Sequence, residues 1–207
     1  LVANGKTVVL HGVMDTPNRY FNNWRWQAWK DGYTDADVKP CLDYFEKIFT
    51  AITDHSQGAY CDVFRLHMDP CWTNGTESLN SGYMSYYENN GAETTGEANI
   101  TKFYLPYYKK YLQSLYIPLI KQALAHGLYV VVRPPGVCPP KLTVEEYNNA
   151  ATDRKCYLYY LLNIWHEFAS DSYIQEHSGQ ISIELANEPI SITWNGSSDN
   201  GAMKEFF

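Results

Sequence analysis

Residues 180–190 read Gln180-Ile-Ser-Ile-Glu-Leu-Ala-Asn-Glu-Pro-Ile190, and the rest of the chain is interpreted outward from them. Apolar residues alternate with polar ones, which predicts a strand over residues 181–185 with one buried apolar face. Pro189 cannot donate a hydrogen bond to a ladder, so the strand is expected to end just before Asn187 and Glu188. The residues expected on the buried face are Ile181, Ile183 and Leu185.

Asn187 and Glu188 therefore stand at the carboxyl end of a predicted strand. Ligands of α/β folds bind outside the carboxyl ends of strands. An amide beside a carboxyl at such a place can orient a polar substrate and transfer a proton. The alternative interpretation is that Asn-Glu-Pro is turn chemistry that only ends a strand. The surrounding chain favours the functional interpretation.

The composition is that of an ordinary globular domain, with 207 residues, 45% hydrophobic and 19% charged. A net charge of −7 argues against a nucleic-acid partner, because such binding needs a basic surface. No apolar run approaches the roughly 18 residues of a membrane span. The five cysteines are an odd number without a C-x-x-C pair, which argues against a zinc site and a dense disulfide framework. The aromatic share of 15%, much of it in predicted loops, suits stacking against sugar rings.

The predicted elements alternate along the chain. Strands are expected at residues 6–11, 62–68, 128–132 and 181–185. Helices are expected to begin at Asp35, to span residues 105–126 with Gly127 following the last turn, and to begin again near Thr143. Alternation of this kind predicts a parallel sheet with right-handed crossovers. The chain has no G-x-G-x-x-G and no Walker loop, so a nucleotide-binding fold has no support.

A (β/α)8 barrel typically needs about 250 residues, and four strands with three helices make about half of one. We therefore expect an α/β chain in which residues 1–207 form strands 1–4, the N-terminal half of a single (β/α)8 (TIM) barrel domain. A half barrel has open edges at its first and fourth strands. The partner that completes it is expected to be a second copy, a separate chain or a C-terminal half outside this sequence. Residues 71–100 are expected to form a long loop over the active face.

Three sequence features resemble glycoside hydrolase family 5, and within it the endoglucanases of gut and rumen Bacteroidetes. They are Asn187-Glu188-Pro189 after an apolar strand, Arg65 within Phe-Arg-Leu-His, and an opening strand that runs into His11-Gly12-Val13. The resemblance spans nearly the whole chain but only the first half of the family's barrel.

The resemblance implies a retaining endo-β-1,4-glucanase that needs no metal and no cofactor. Glu188 would be the general acid/base, Asn187 would hydrogen-bond the sugar 2-hydroxyl, and Arg65 would hold the nucleophile carboxylate. The family's nucleophile is a glutamate on the seventh strand, which has no matching position in this sequence. Arg65 as a member of a structural ion pair is the alternative.

Further substrate contacts are expected from strand-end residues. Family members commonly carry a histidine at the end of the third strand, where this chain has Arg133, so Arg133 or His67 is the candidate for that contact. His11 is a candidate sugar contact as well, with hydrogen-bonded core histidines as the alternative for His11 and His67. Trp72 and Trp194 are candidate stacking platforms on strand-end loops.

Two other functions remain open at the level of sequence. A β-mannanase, glucomannanase or xyloglucanase of the same family would use the same catalytic residues. A carbohydrate-binding protein without catalysis would use the aromatic loops alone. For each, the expected partner is a β-linked polysaccharide or oligosaccharide, and the expected location is secreted, periplasmic or at the cell surface.

Overall fold

The computed structural model describes residues 2–3, 5–17, 34–57, 60–73, 104–135, 157–186, 193–194 and 197–198. Its centre is a four-stranded sheet made of β3 (Gly12–Asp15), β4 (Val63–His67), β5 (Tyr129–Arg133) and β6 (Ile181–Ile183). The order is β3-β4-β5-β6, and every neighbouring pair is parallel. The predicted α/β class with a parallel sheet of four strands is therefore confirmed.

Helices connect each strand to the next. Helix α1 (Asp35–Ile52) lies between β3 and β4. Between β4 and β5 come α2 (Pro70–Thr73), α3 (Leu105–Tyr111), a π-helical segment (Leu112–Tyr116) and α4 (Ile117–Ala125). Helices α5 (Tyr157–Ala169) and α6 (Ser172–Glu176) precede β6. Among the described residues, none of these helices is long and apolar enough to cross a membrane.

The expected long helix over residues 105–126 is present, with a change of hydrogen-bond register at its centre. The Ile117 N–H donates to the carbonyl of Leu112, five residues back. Pro118 has no N–H, so the regular pattern of bonds cannot continue through it. Gly127 ends the helix with φ of 81°, the left-handed conformation that the sequence predicted for this position.

The first strand of the sheet begins later than the sequence predicted. Lys6–Thr7 forms β2, which pairs antiparallel with β1 (Val2–Ala3), and Gly5 between them has φ of 75°. Asn-Gly at positions 4–5 is the pair that two-residue hairpin turns prefer, a signal that outweighs the apolar run. The predicted strand at residues 6–11 is therefore wrong: of these residues only Lys6–Thr7 lie in a strand, the antiparallel β2, and the first strand of the central sheet starts at Gly12.

One face of the sheet packs against the helices and forms the core. Phe64 and Leu66 of β4 and Val130 and Val132 of β5 are at most 1% exposed and lie on this face. The ring of Phe49 from α1 meets Phe64 edge-on, with centroids 4.9 Å apart. Burying a side chain of this size stabilises the fold by about 1.5–3 kcal/mol, and the aromatic geometry adds about 0.5–1.5 kcal/mol.

The edge strands are less covered than the sequence predicted. Ile183 and Leu185 are 41% and 44% exposed, and Ile181 is half-buried. The prediction that these three residues form a buried face is therefore wrong in the described chain. Ile183 lies opposite the fully buried Val132, so it does face the helix layer, but β6 ends the sheet and the described residues cover it only in part.

Candidate active site

The carboxyl ends of β3, β4, β5 and β6 lie along one rim of the sheet because all four strands are parallel. Asp15, His67 and Arg133 end their strands there, and Ala186 follows β6 on the same side. Asn187 and Glu188 come immediately after Ala186, but they lie outside the part of the chain that the structure describes. The same holds for the loop at 74–100 and for residues 136–156.

Arg65 lies on the face of the sheet opposite to the described helices, since the neighbouring residues Phe64 and Leu66 are buried on the helix side. Its Nε and Nη2 donate to Oε2 and Oε1 of Glu184 at 2.8 and 2.6 Å, a bidentate pair. Nη1 lies 2.7 Å from the sulfur of Met14 on β3. The side chains of Arg65 and Glu184 are 33% and 27% exposed.

Glu184 belongs to the candidate site by its contact with Arg65, and the sequence analysis missed it. It follows β6 and lies two residues before Ala186, at a polar position of the alternating stretch 181–185. An acidic residue at such a position, matched by an arginine in another strand of the same sheet, is the signal that could have found it. Arg65 therefore does form an ion pair in the fold, which was the alternative to a role in holding the nucleophile carboxylate.

His67 and Arg133, the two candidates for a contact at the end of the third strand, are brought together. They lie opposite each other in the ladder between β4 and β5. Both are buried, at 0% and 4% exposure. The Met68 N–H donates to the Arg133 carbonyl at 3.3 Å, so the ladder continues past β4. The rim therefore has a buried basic and aromatic pair at its centre.

The backbone just beyond β4 is fixed by the π-helical segment. Tyr116 accepts a hydrogen bond from the Asp69 N–H at 2.9 Å, and its hydroxyl lies 3.1 Å from the Asp69 carbonyl. Both residues are fully buried. π-helical segments occur often at functional sites. This one binds the backbone at the rim through the Tyr116 hydroxyl.

Trp72 does not offer a stacking surface in this structure. It is 1% exposed, its indole Nε1 donates to the Pro17 carbonyl at 2.6 Å, and its ring meets Tyr111 edge-on at 5.0 Å. The predicted role as a sugar platform is therefore at odds with its burial. Trp72 instead joins α2 to the segment after β3. Trp194 lies in β7 (Thr193–Trp194), which pairs with β8 (Ser197–Ser198). The structure describes the backbone of Trp194 and not its side chain.

His11 lies at the wrong end of the sheet for a substrate contact. It precedes β3, and its carbonyl accepts hydrogen bonds from the N–H groups of Asp62 and Val63 at 2.7 and 3.1 Å, where β4 begins. Its own N–H donates to the Asp62 carboxylate at 3.2 Å. The prediction placed His11 on the rim because it took residues 6–11 as the strand, and the later start of β3 moves His11 to the amino end.

A cavity of about 570 Å³ also lies at the amino end of the sheet. Its lining includes Val8, Leu10, Val63, Tyr129 and Ile181. This space is largely apolar and lies at the other end of the strands from Arg133 and Ala186, so it is not where a polar substrate would be expected.

Cys41 is not a candidate nucleophile. Burial raises the pKa of the Cys41 thiol well above its ordinary value, and Asp15 and Asp37 add to the shift. Because the thiolate is the reactive form, this thiol is inert at neutral pH. Within the described residues, no group of three His, Cys, Asp or Glu side chains could hold a metal ion.

Comparisons of the chain with models of protein families, with curated proteins and with solved structures found no match.

Proposed function

We propose that the chain supplies strands 1–4 of a (β/α)8 barrel that acts as a retaining endo-β-1,4-glucanase, a hydrolase of glycoside hydrolase family 5 type. The observation that carries the proposal is the placement of Arg65. It projects from the second strand of the parallel sheet on the side away from the described helices and is bound there by Glu184, three residues before Asn187. A guanidinium so placed is suited to binding a carboxylate.

The order of the strands supports the proposed (β/α)8 barrel. Consecutive strands are neighbours throughout, in the order β3-β4-β5-β6, whereas the sheet of a doubly wound fold changes direction at a switch point. Both outer strands are open within the described chain. Apolar residues are exposed on them, namely Val13, Met14 and Ile183, at 42%, 51% and 41%. Four further strands with their helices, from a C-terminal half or another chain, would cover them.

The proposed chemistry divides between two carboxyl groups. Glu188 protonates the leaving oxygen and then activates water, Asn187 binds the sugar 2-hydroxyl, and Arg65 holds the nucleophile carboxylate that the rest of the barrel provides. In retaining enzymes the two carboxyl groups lie about 5–5.5 Å apart. No cofactor takes part in this mechanism. Since the substrate is a polymer, we place the enzyme where it meets that polymer, in the periplasm, at the cell surface or outside the cell.

The test uses the complete barrel protein and the variant Glu188→Gln. Loss of the general acid should lower turnover of carboxymethylcellulose about 10²–10⁴-fold, and proton NMR of the wild-type reaction should show that the product first appears with the configuration of the substrate. Glu176→Gln, in α6 away from the rim, is the control. Wild-type activity in the Glu188→Gln protein, or an inverted product, would overturn the proposal.

Substrate choice is decided in the same assay. A panel of β-glucan, mannan, glucomannan and xyloglucan, with product analysis, separates an endoglucanase from the mannanase and xyloglucanase alternatives. A protein that binds these polymers without releasing reducing ends would be a carbohydrate-binding protein instead.

A further inference from the structure

Two opposite charges meet on the face of the sheet that lies opposite to the described helices. Arg65 extends from β4 and Glu184 from the end of β6, with β5 between them, so the pair spans about 10 Å between strand axes. The two residues are 119 positions apart in sequence. The contact therefore forms only when three strands are assembled in register.

This pair differs from the ion pairs on the helix surfaces. Lys39 and Asp43 on α1 are 81% and 57% exposed, and such pairs contribute little. Arg65 and Glu184 are 33% and 27% exposed, so each has lost much of its contact with water, a cost that only good geometry offsets. Two parallel N–H···O bonds also fix the plane of the guanidinium.

Among the described residues, the contacts of Arg65 leave donors for another group. A guanidinium has five N–H donors. One on Nε and one on Nη2 bind Glu184, and one on Nη1 faces the sulfur of Met14, a weak acceptor. The end edge of the guanidinium, formed by Nη1 and Nη2, can therefore bind a second carboxylate.

We propose that Glu184 is a positioning residue, which fixes Arg65 by its Nε–Nη2 edge so that the Nη1–Nη2 edge is held for the nucleophile carboxylate. This inference rests on the proposed function, because that function supplies the second carboxylate. Glu184 does not touch the sugar and acts only through Arg65. Misplacing a reacting group by about 1 Å costs on the order of 100-fold in rate, so Glu184 affects kcat more than KM.

The first experiment measures the pair without reference to activity. Nitrogen–proton NMR correlations report the Nε–H of each arginine side chain, and Arg65→Lys assigns the Arg65 signal. We expect that signal to exchange slowly with water in the wild-type protein and at least about tenfold faster in Glu184→Gln, because the charge-assisted bonds are weakened. Glu167→Gln is the matched control, since Glu167 is 24% exposed and pairs with Lys109 at 2.7 Å in the helix layer. An Arg65 signal unchanged in Glu184→Gln overturns the proposal.

The second experiment measures the coupling in turnover. Glu184→Gln should lower kcat about 10- to 100-fold with KM within about threefold, and Glu184→Asp, which keeps the charge, should recover part of kcat. The double variant Arg65→Lys/Glu184→Gln should be no slower than Arg65→Lys alone, because Glu184 acts through Arg65. Thermal unfolding of each variant confirms that it is folded at the assay temperature.

The outcomes separate this proposal from the function on which it rests. Additive losses in the double variant, or unchanged kcat in Glu184→Gln of an active enzyme, overturn the positioning role and leave the glycosidase proposal standing. A wild-type protein that hydrolyses none of the tested polymers overturns the proposed function, and the positioning role falls with it.

Discussion

The Tyr116 side chain is joined to both backbone groups of Asp69, by hydrogen bonds of 2.9 Å from its N–H and 3.1 Å to its carbonyl. One buried hydroxyl thus satisfies a donor and an acceptor of the segment that leaves β4 at the rim. The Asp69 carbonyl also accepts the Trp72 N–H at 3.2 Å, so groups of the helices bind the backbone next to the ladder bond that Met68 makes with Arg133. The position of the rim is therefore set by the π-helical segment as well as by the strands.

Tyr116→Phe tests this support. The substitution keeps the ring and removes both hydrogen bonds, so we expect a loss of about 1–3 kcal/mol in the free energy of unfolding. Urea denaturation followed by circular dichroism measures it. Tyr129→Phe, at a tyrosine that is 48% exposed on β5, should change stability by less than about 0.5 kcal/mol. Equal effects of the two substitutions would show that the Tyr116 hydroxyl does not support the rim.

Gly12 is required by the close approach of β3 and β4. A Cβ at this position would lie 2.5 Å from the Val63 carbonyl oxygen, a backbone atom that cannot turn away. We expect Gly12→Ala to destabilise the protein by about 1–3 kcal/mol. Gly179→Ala is the matched control because a Cβ there meets nothing within 4 Å. The midpoint of thermal unfolding measures both, and a Gly12→Ala protein as stable as the control would show that the two strands are not so close.

The order and direction of the sheet strands could be predicted from the sequence because β5 is a short apolar run, β4 alternates apolar and polar residues, and turn residues bound both. Asp62–Met68 was expected and Val63–His67 is found. The first strand could not be placed correctly, because the apolar residues 8–10 connect the hairpin strand β2 to the sheet strand β3 and belong to neither. Only the pairing with β4 shows where the ladder begins.

The site could be predicted only in part. His67 and Arg133 were singled out because strand ends can be read from the sequence, and the structure places them at the ends of β4 and β5. Arg65 was singled out by the family resemblance and lies within β4. Glu184 and Tyr116 were missed because their contacts join residues 119 and 47 positions apart. Trp72 was misjudged because the sequence does not show that α2 turns it inward against Pro17.

Trp72→Phe distinguishes packing from sugar binding. Its indole is buried and donates to the Pro17 carbonyl, so we expect the substitution to lower the free energy of unfolding by about 1–3 kcal/mol. We expect the KM for soluble glucan to stay within about twofold of the wild-type value, because a buried ring cannot contact substrate. Urea denaturation and steady-state kinetics measure the two. A large rise in KM with unchanged stability would restore the role of Trp72 as a stacking platform.

The folded state should lose stability at alkaline pH through Tyr111. Burial, and next the Asp35 carboxylate, raises the pKa of Tyr111 to about 12, whereas an unfolded tyrosine ionises near about 10. Between these values the unfolded chain has released a proton that the folded chain keeps, so unfolding becomes easier as pH rises. The contribution is complete below about pH 10 and is lost progressively up to about pH 12. Urea midpoints measured from pH 8 to 11 should therefore fall, and they should fall less steeply in Tyr111→Phe. The control is Tyr60→Phe, at a tyrosine that is 43% exposed. If the urea midpoint fell equally steeply with pH in Tyr111→Phe and in the wild type, the loss of stability would not come from Tyr111.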